Sequence, residues 1–190
     1  MKVIAINGSP RPKGNTFNLI KYVFEELENA GIETEIVQLA GKKIRGCLSC
    51  YKCFANKDKH CSVDDDLNGI IDKMVEADGI LLGSPTYVAS VSSEIKALID
   101  RACLVSTANG YLFKYKVGAS VVAVRRAGSV SAFDTLNHFL LYNQMVISAS
   151  SYWNMGFGLN PGEVEKDEEG RTIMKNLGLN MAWVLKKINA

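Results

Sequence analysis

The chain has 190 residues, of which 47% are hydrophobic and 22% charged, and its formal net charge is +2. This composition is typical of a globular protein in water, and the length favours one domain over residues 1–190 with a sizeable core. The small net charge by itself neither favours nor excludes nucleic acid, and we expect no nucleic-acid partner. No uninterrupted apolar segment approaches membrane-spanning length, so we expect no membrane partner.

The start of the chain and its cysteines indicate the compartment. Residues 1–4 are followed at once by Ala5, Ile6 and the polar pair Asn7-Gly8, too soon for a signal peptide. Without a signal peptide, the five cysteines are expected to be in a reducing cytoplasm, where metal or redox chemistry is favoured over disulfides. We therefore expect a cytoplasmic protein.

Short apolar runs alternate with helical patterns along the chain. The predicted strands are residues 2–6, 33–39, 79–83, 117–124 and 145–148. The predicted helices are residues 17–29, 67–77, 91–104, 130–142 and about 165–188. This alternation predicts an α/β fold in which helices cover both faces of a five-stranded parallel sheet. A cysteine-rich insertion at 41–66, without predicted regular structure, and a loop at 152–162 interrupt the pattern.

The turn after the first strand, residues 7–16, has the chemistry of an anion site. Unpaired backbone N–H groups and the positive end of a helix dipole are expected where a parallel strand leads into a helix. The side chains that add donors or positive charge are Ser9, Arg11, Lys13, Asn15 and Thr16. The spacing fits neither a nucleoside-triphosphate loop nor a G-x-G-x-x-G fingerprint. Phosphate is the favoured ligand, and the alternative is an ordinary turn with Asn15 or Thr16 as helix N-cap.

Two further polar turns follow predicted strands. Residues 84–90 combine a proline, an aromatic ring and backbone amides, which suit a flat heteroaromatic ligand, although Tyr87 could equally be a packing residue. Residues 125–131 begin with Arg125 and Arg126, which could stabilise negative charge on a ligand or be solvated surface arginines. Ligands of parallel sheets bind at the carboxyl ends of the strands, so the three turns are expected to meet at one edge.

Several stretches resemble the NADPH-dependent FMN reductase group of flavodoxin-like proteins. They are Gly8-Ser9-Pro10-Arg11 with Gly14-Asn15-Thr16, Gly83-Ser84-Pro85-Thr86-Tyr87, and Ile95-Lys96-Ala97-Leu98-Ile99-Asp100-Arg101. The resemblance covers residues 1–150 in the same order. It implies a flavodoxin-like three-layer sandwich with strand order 2-1-3-4-5 and an FMN cofactor.

The resemblance also implies roles for individual residues. The FMN phosphate would be held by the first turn, namely by Ser9, Arg11, Gly14, Asn15 and Thr16. The isoalloxazine would be lined by Pro85, Thr86, Tyr87 and Val88, and its other edge covered by Arg126, Ala127, Gly128 and Ser129. Lys96, Asp100 and Arg101 are interpreted as structural or interfacial. Because the flavin carries the redox chemistry, no catalytic acid or base is predicted.

The insertion holds a compact cysteine cluster, Cys47-x2-Cys50-x2-Cys53-x7-Cys61. Four thiolates suit a [4Fe–4S] cluster or an all-thiolate zinc site, and the compact spacing favours the cluster. Free or redox-active thiols remain an alternative. The arrangement resembles the iron–sulfur flavoproteins of the same group. It departs from the ferredoxin spacing, because seven residues separate Cys53 from Cys61 and no proline follows Cys61.

Other polar residues are given ordinary roles. His60 is interpreted as a surface residue, His138 as structural and Cys103 as a core residue. The run of aspartates at 64–66 is interpreted as an N-cap and first-turn charge for the helix that follows. Two aromatic stretches, residues 106–114 and 152–161, are candidates for a lid over the flavin.

The sequence therefore predicts an FMN-dependent oxidoreductase of the iron–sulfur flavoprotein type. Electrons would pass between NAD(P)H or a ferredoxin-like protein donor, bound FMN and a possible [4Fe–4S] cluster. The alternatives are a cluster-free NAD(P)H-dependent FMN or quinone reductase, a non-catalytic flavin electron carrier, and a thiol redox sensor. The resemblance implies a homo-oligomer, either a homodimer or a homotetramer.

Overall fold

A single parallel sheet of six strands, with helices on both faces, organises the computed structural model, which describes residues 1–190. The strands are β1 Lys2–Asn7, β2 Glu33–Gln38, β3 Gly79–Pro85, β4 Val117–Val124, β5 Val146–Ile147 and β6 Met155–Phe157. The helices are α1 Asn15–Asn29, α2 Lys52–Asn56, α3 Leu67–Glu76, α4 Ser93–Ala108, α5 Ser129–Tyr142 and α6 Glu168–Ile188, with a 3₁₀ turn at Glu163–Lys166.

The strand order is β2-β1-β3-β4-β5, and every pair is parallel. Strand β1 lies between β2 and β3: Val3 pairs with Thr34 of β2 on one side and with Gly79 of β3 on the other. The chain places β2 on one side of β1 and then crosses over to place β3 on the other side. The carboxyl ends of β1 and β3 therefore form a topological switch point. The predicted flavodoxin-like three-layer fold is confirmed.

Alternating residues of the central strands build two separate cores. Ile4 and Ile6 of β1 face the layer of α3, α4 and α5, whereas Val3 and Ala5 face the layer of α1 and α6. The two clusters contain 26 and 20 buried residues, so neither face of the sheet is left open to water. Burial on both faces explains why these strands are continuous apolar runs.

The predicted number of five strands is wrong by one, because β6 also joins the sheet. It pairs with β4 at residues 122–124, whereas β5 pairs only with Val117 and Gly118 at the other end of β4. Since β5 has only two residues, the second half of β4 keeps a free edge, and β6 occupies it. Three residues, Met155-Gly156-Phe157, are too short to be recognised from an apolar pattern.

The remaining differences are local. Helix α1 begins at Asn15, two residues before its predicted start, and β3 continues to Pro85. The cysteine-rich insertion contains the short helix α2, which was not predicted. No helix combines the length and apolar character that crossing a bilayer would require.

Candidate functional site

A cleft opens at the carboxyl edge of the sheet, where four loops meet. Its lining residues are Ser9, Arg11, Asn15, Thr16, Pro85, Thr86, Tyr87, Ala123, Arg125, Gly158 and Leu159. The loops follow β1, β3, β4 and β6, so the cleft lies where ligands of parallel sheets bind. Its volume is about 160 Å³.

The first loop is held rigidly by buried polar contacts. Asn7 is fully buried, and its Oδ1 accepts a hydrogen bond from the backbone N–H of Ser9 at 3.1 Å. The Gln38 amide, at the end of β2, donates to the Ser9 carbonyl at 2.7 Å. Ser92, the N-cap residue of α4, donates from its Oγ to the Gly8 carbonyl at 2.6 Å. Side chains from the end of β1, the end of β2 and the start of α4 therefore fix this turn before any ligand binds.

The N-terminus of α1 is left uncapped where it meets the cleft. Gly14 is the N-cap residue, no side chain accepts from the first N–H groups, and no acidic residue lies in the first turn. Thr16 is 1% exposed, and its buried hydroxyl has no hydrogen-bond partner. A buried polar group without a partner costs about 1–3 kcal/mol. This end of α1 therefore has free donors for an anion.

The second loop is a tight turn in a strained conformation. Tyr87 and Ser90 exchange both backbone hydrogen bonds, at 2.8 and 2.9 Å. The two residues between them, Val88 and Ala89, have φ of 48° and 56°, in the left-handed region that a β-branched residue rarely adopts. Val88 is fully exposed at the tip and Tyr87 is half exposed, while the Thr86 hydroxyl is buried without a partner. Such strain is concentrated at binding sites.

The third loop packs directly on the second. Gly128 has φ of 85°, and a Cβ at this position would lie 2.9 Å from the Cα of Ala89. Arg125 lines the cleft, whereas Arg126 and Ala127 are exposed beside it and Ser129 is buried. Only glycine allows the third loop to approach the second so closely.

The fourth loop closes the cleft against the first. Arg11 Nη1 donates to the Leu159 carbonyl at 3.2 Å, and a Cβ on Gly158 would lie 2.8 Å from Asn15 Nδ2. Glu163 accepts from the backbone N–H of Leu159 and from both the backbone and side chain of Asn160. These hydrogen bonds, those from Asn160 first, lower the pKa of Glu163 to about 2. The carboxylate therefore holds this loop in place.

The four cysteines of the insertion line a second, separate cavity against α4. Arg101, Leu104 and Val105 of α4 form its wall, together with the side chains of Cys47, Cys50, Cys53 and Cys61. Arg101 lies eight residues after the start of α4, which is about 12 Å along the helix from the edge of the sheet where the cleft lies. The loop that carries the cysteines therefore leaves the end of β2 but packs against α4.

Hydrogen bonds to sulfur surround this cavity. The backbone N–H of Ser49 donates to Cys47 Sγ at 3.4 Å, and Cys50 Sγ lies 3.5 Å from the Ser62 hydroxyl. The Ser62 contact and the backbone N–H of Lys52 lower the pKa of Cys50, whereas burial raises the pKa of Cys53. All five cysteines of the chain are free, and no three His, Cys, Asp or Glu side chains converge on a single metal-ion position.

The interpretation of the aspartate run is partly confirmed: Asp65 Oδ1 accepts from the backbone N–H of Leu67, the first residue of α3, at 3.2 Å, but no acidic residue lies in the first turn of the helix. Asp66 occupies the N-cap position without a side-chain capping bond, and its Oδ2 accepts from the Lys43 backbone at 2.6 Å. Asp65 forms a buried bidentate ion pair with Arg101, at 2.6 and 3.0 Å. Chain positions 65 and 101 are too distant in sequence for a local pattern to reveal this pair. The structural role assigned to Arg101 is consistent with it.

The remaining polar residues are placed as follows. His60 lies at the surface, with Nε2 at 2.9 Å from Asp72 Oδ1. His138 is exposed on α5. Cys103 is half-buried and packs against the core between the sheet and the layer of α3, α4 and α5.

One of the two lid candidates lies at the wrong edge of the sheet. Residues 106–114 run from the last turn of α4 towards the start of β4, so they lie opposite the carboxyl ends of the strands. There, Tyr111 contacts Tyr142 with a ring separation of 6.4 Å. In the other candidate, Gly158 and Leu159 do line the cleft, and Trp153 packs on Phe133.

A family model described as NADPH-dependent FMN reductase matches residues 1–160 of this chain. The chain belongs to the NADPH-dependent FMN reductase family. The family comprises flavin-dependent oxidoreductases, and membership supports FMN as the cofactor of this protein.

Curated relatives cover the chain from end to end. An iron-sulfur flavoprotein of Methanocaldococcus jannaschii is 37% identical over 195 residues, which is 99% of this chain and 99% of that protein. An iron-sulfur flavoprotein of Methanosarcina thermophila is 30% identical over 190 residues, or 99% of this chain and 97% of that protein.

Solved structures support the fold of this FMN reductase family member. The crystal structure of RosB with a bound 8-demethyl-8-formylriboflavin-5'-phosphate intermediate has a TM-score of 0.79 at 17% identity, covering 100% of this chain and 80% of that chain. An NAD(P)H:quinone oxidoreductase from Methanothermobacter marburgensis has a TM-score of 0.66 at 15% identity, covering 95% and 96%.

The cleft of this family member contains most, but not all, of the residues expected from the sequence. Ser9, Arg11, Asn15, Thr16, Pro85, Thr86 and Tyr87 line it, and Gly14 caps the helix beside it. Val88 and residues 126–129 lie outside the lining, on the two loops that border it. Gly158 and Leu159 were expected only as part of the lid candidate at 152–161, because β6 was not recognised, and Ala123 of β4 was not expected in the site. Arg125 lines the cleft, whereas the residue predicted to lie at the flavin was its neighbour Arg126.

Proposed function

We propose that the cleft binds FMN, with the phosphate at the N-terminus of α1 and the isoalloxazine along the open rim. The observation that carries this proposal is the pair of buried hydroxyls, on Thr16 and Thr86, that line one cleft without hydrogen-bond partners. Native proteins rarely leave buried hydroxyls unpaired, so two in one cleft indicate a ligand that satisfies them.

The phosphate position rests on the charge and donors around α1. The uncapped N–H groups of α1, the Thr16 hydroxyl and Ser9 surround the same end of the cleft, and no carboxylate of the first turn opposes an anion. Arg11 already donates one N–H to Leu159, but its guanidinium has further N–H groups for a phosphate oxygen.

The ring position rests on volume and exposure. About 160 Å³ is below the 300–1,000 Å³ typical of pockets that enclose a drug-sized ligand, so the cleft accommodates the phosphate and ribityl chain rather than the whole cofactor. The isoalloxazine then lies over the rim, against Tyr87 and the tip at Val88, with residues 126–129 at its other edge. A ring at the rim is open to a second molecule.

The bound flavin supplies the redox chemistry of this oxidoreductase. The protein's part is to bind the phosphate, to orient the ring and to leave one ring face accessible. We propose NAD(P)H or a ferredoxin-like protein as the electron donor, a homodimer or homotetramer as the assembled form, and the cytoplasm as the compartment. The five free cysteines are consistent with a reducing compartment.

We further propose that Cys47, Cys50, Cys53 and Cys61 hold a [4Fe–4S] cluster that exchanges electrons with the flavin. Their shared cavity and the hydrogen bonds to their sulfur atoms support this proposal, as do two relatives named iron-sulfur flavoprotein. Each thiolate of such a cluster binds a different iron, so its ligands surround a volume and need not converge on one point.

A second candidate is a cluster-free reductase whose thiols stay free. Two observations favour it: Cys47 and Cys50 are exposed, and the cavity among the four thiols has a volume of only about 20 Å³.

Purification without oxygen separates the two candidates. Bound FMN, stoichiometric iron and a broad absorption shoulder near about 400 nm are expected for the cluster-bearing protein. The iron and the shoulder should be lost in Cys50→Ala and in Cys53→Ala but kept in Cys103→Ala, which removes the cysteine outside the cavity. Protein that binds FMN and oxidises NADPH or NADH without iron would establish the cluster-free reductase. Protein that takes up no FMN would overturn the proposal.

A further inference from the structure

Arg101 is a fully buried arginine whose contacts join α4 to the cysteine loop. It is 1% exposed, in the middle of a helix whose neighbouring residues are mostly apolar. Its Nε donates to Cys61 Sγ at 3.4 Å, and its Nη1 donates to the Arg45 carbonyl at 3.0 Å. Nη1 and Nη2 also donate to the two carboxylate oxygens of Asp65, at 2.6 and 3.0 Å.

The guanidinium is suited to this task because it is planar and has five N–H donors in a fixed fork. The bidentate pair with Asp65 fixes the plane of the fork, and that plane aims Nε at the sulfur of Cys61. The bond to Arg45 ties the beginning of the loop to the same helix. Points on both sides of the cysteine cluster are therefore fixed by one side chain.

Lysine cannot reproduce this arrangement. A compact ammonium has no plane to orient and cannot pair bidentately with Asp65 while also donating to a sulfur and a carbonyl. The burial of a charged pair also calls for a reason beyond stability, since buried ion pairs often stabilise a fold no better than apolar residues would.

We infer that Arg101 is a positioning residue for the redox centre of the cysteine loop: it orients Cys61 and adjusts the reduction potential through its N–H···S hydrogen bond. This inference rests on the proposed function, because it assumes that the four cysteines hold a cluster. Hydrogen bonds to sulfur shift cluster potentials, and groups that hold metal ligands in place typically change metal affinity 10–100-fold when they are removed.

The test compares two variants of the ion pair with one control. Neither of the two variants leaves a single charge buried without its partner, and the control alters a surface charge. Arg101→Lys keeps the charge, and the double variant Asp65→Asn/Arg101→Gln removes both charges. Lys96→Gln is the matched control, because Lys96 lies on the same helix in an exposed pair with Asp100 and has no contact with the cysteine loop. Each is purified without oxygen as the full chain with FMN bound.

The expected result concerns iron retention and potential rather than activity. Loss of iron to a chelator should be about 10–100-fold faster in Arg101→Lys and in the double variant, with FMN content unchanged. The midpoint potential of the iron that remains, followed by electron paramagnetic resonance during a redox titration, should be more negative than in the parent protein. Lys96→Gln should match the parent in both measurements. Equal iron loss and equal potential in all proteins would overturn the inference.

Two further outcomes are distinguishable. A double variant and Arg101→Lys that both lose FMN together with iron would show a general folding role, and would overturn the specific one. If the parent protein itself binds no iron, the cluster part of the proposed function fails, and alkylation of the iron-free thiols then tests Arg101. Cys61 should react faster relative to Cys47 in Arg101→Lys than in the parent, and an unchanged ratio would overturn the positioning role.

Discussion

Gly128 and Ala89 are in such close contact that a Cβ on the glycine would lie 2.9 Å from the alanine Cα. The contact joins the loops after β3 and β4, which border the cleft on one side. Because Gly128 also has φ of 85°, two separate constraints select glycine at this position.

The first prediction follows from that contact. Gly128→Ala should destabilise the protein by about 1–3 kcal/mol and weaken FMN binding, because backbone strain and the collision with Ala89 separate the two loops. Gly110→Ala is the matched control, since Gly110 has φ of 80° but open space around its Cβ position. Thermal unfolding and FMN titration measure the difference. Equal loss of FMN affinity in the two variants would contradict a role for the loop contact.

The strained turn at Val88 leads to the second prediction. Left-handed backbone costs a non-glycine residue about 1–2 kcal/mol, so Val88→Gly should raise the stability of FMN-free protein by about 1 kcal/mol. It should at the same time weaken FMN binding, because apolar surface against the ring is lost. Gln144→Gly relieves left-handed strain at φ of 57° away from the cleft, and should leave FMN affinity unchanged. Unchanged affinity in Val88→Gly would argue against contact with the ring.

A pH dependence is expected at the fourth loop. The pKa of Glu163 is lowered to about 2 by hydrogen bonds from Asn160 and Leu159, so the charged form is favoured in the folded state. The anchoring of this loop is therefore fully present above the ordinary pKa of 4.5, and is lost as the pH falls from there through about 2.

Amide exchange of Leu159 and Asn160 measures this anchoring. Protection of the two amides should decrease as the pH falls through that range, after correction for intrinsic exchange rates. Glu163→Gln should lose protection at neutral pH, and Glu165→Gln, two residues on, should keep it. Protection that is equal in Glu163→Gln and the parent would contradict the assignment.

The sequence alone predicts an element correctly where its local pattern matches its surroundings in the folded protein. Val3 to Ile6 form a continuous apolar run because both faces of β1 are buried, and the polar turn after it could be assigned to a helix N-terminus. The spacing of the four cysteines anticipated that they would share one cavity.

Other features depend on contacts that no local pattern contains. Strand β6 forms because β5 ends after two residues and leaves an edge of β4 unpaired. Val88 and Ala89 are not residue types that indicate a left-handed turn, so their conformation is set by the surrounding loops. The pair of Asp65 and Arg101 is formed by tertiary folding of the insertion onto α4.

The assignment of the phosphate to α1 is the central claim about the cleft, and the preference for FMN over riboflavin, which lacks the phosphate, tests it most directly. Dissociation constants for both ligands are measured in the parent protein, in Thr16→Val, in Thr86→Val and in Thr172→Val, a control on the exposed face of α6. A hydrogen bond to a charged group contributes about 1.5–3 kcal/mol, so Thr16→Val should reduce the preference for FMN by about 10–150-fold. Thr86→Val should weaken both ligands equally, and Thr172→Val neither. A preference for FMN that is the same in Thr16→Val and in the parent would contradict the assignment.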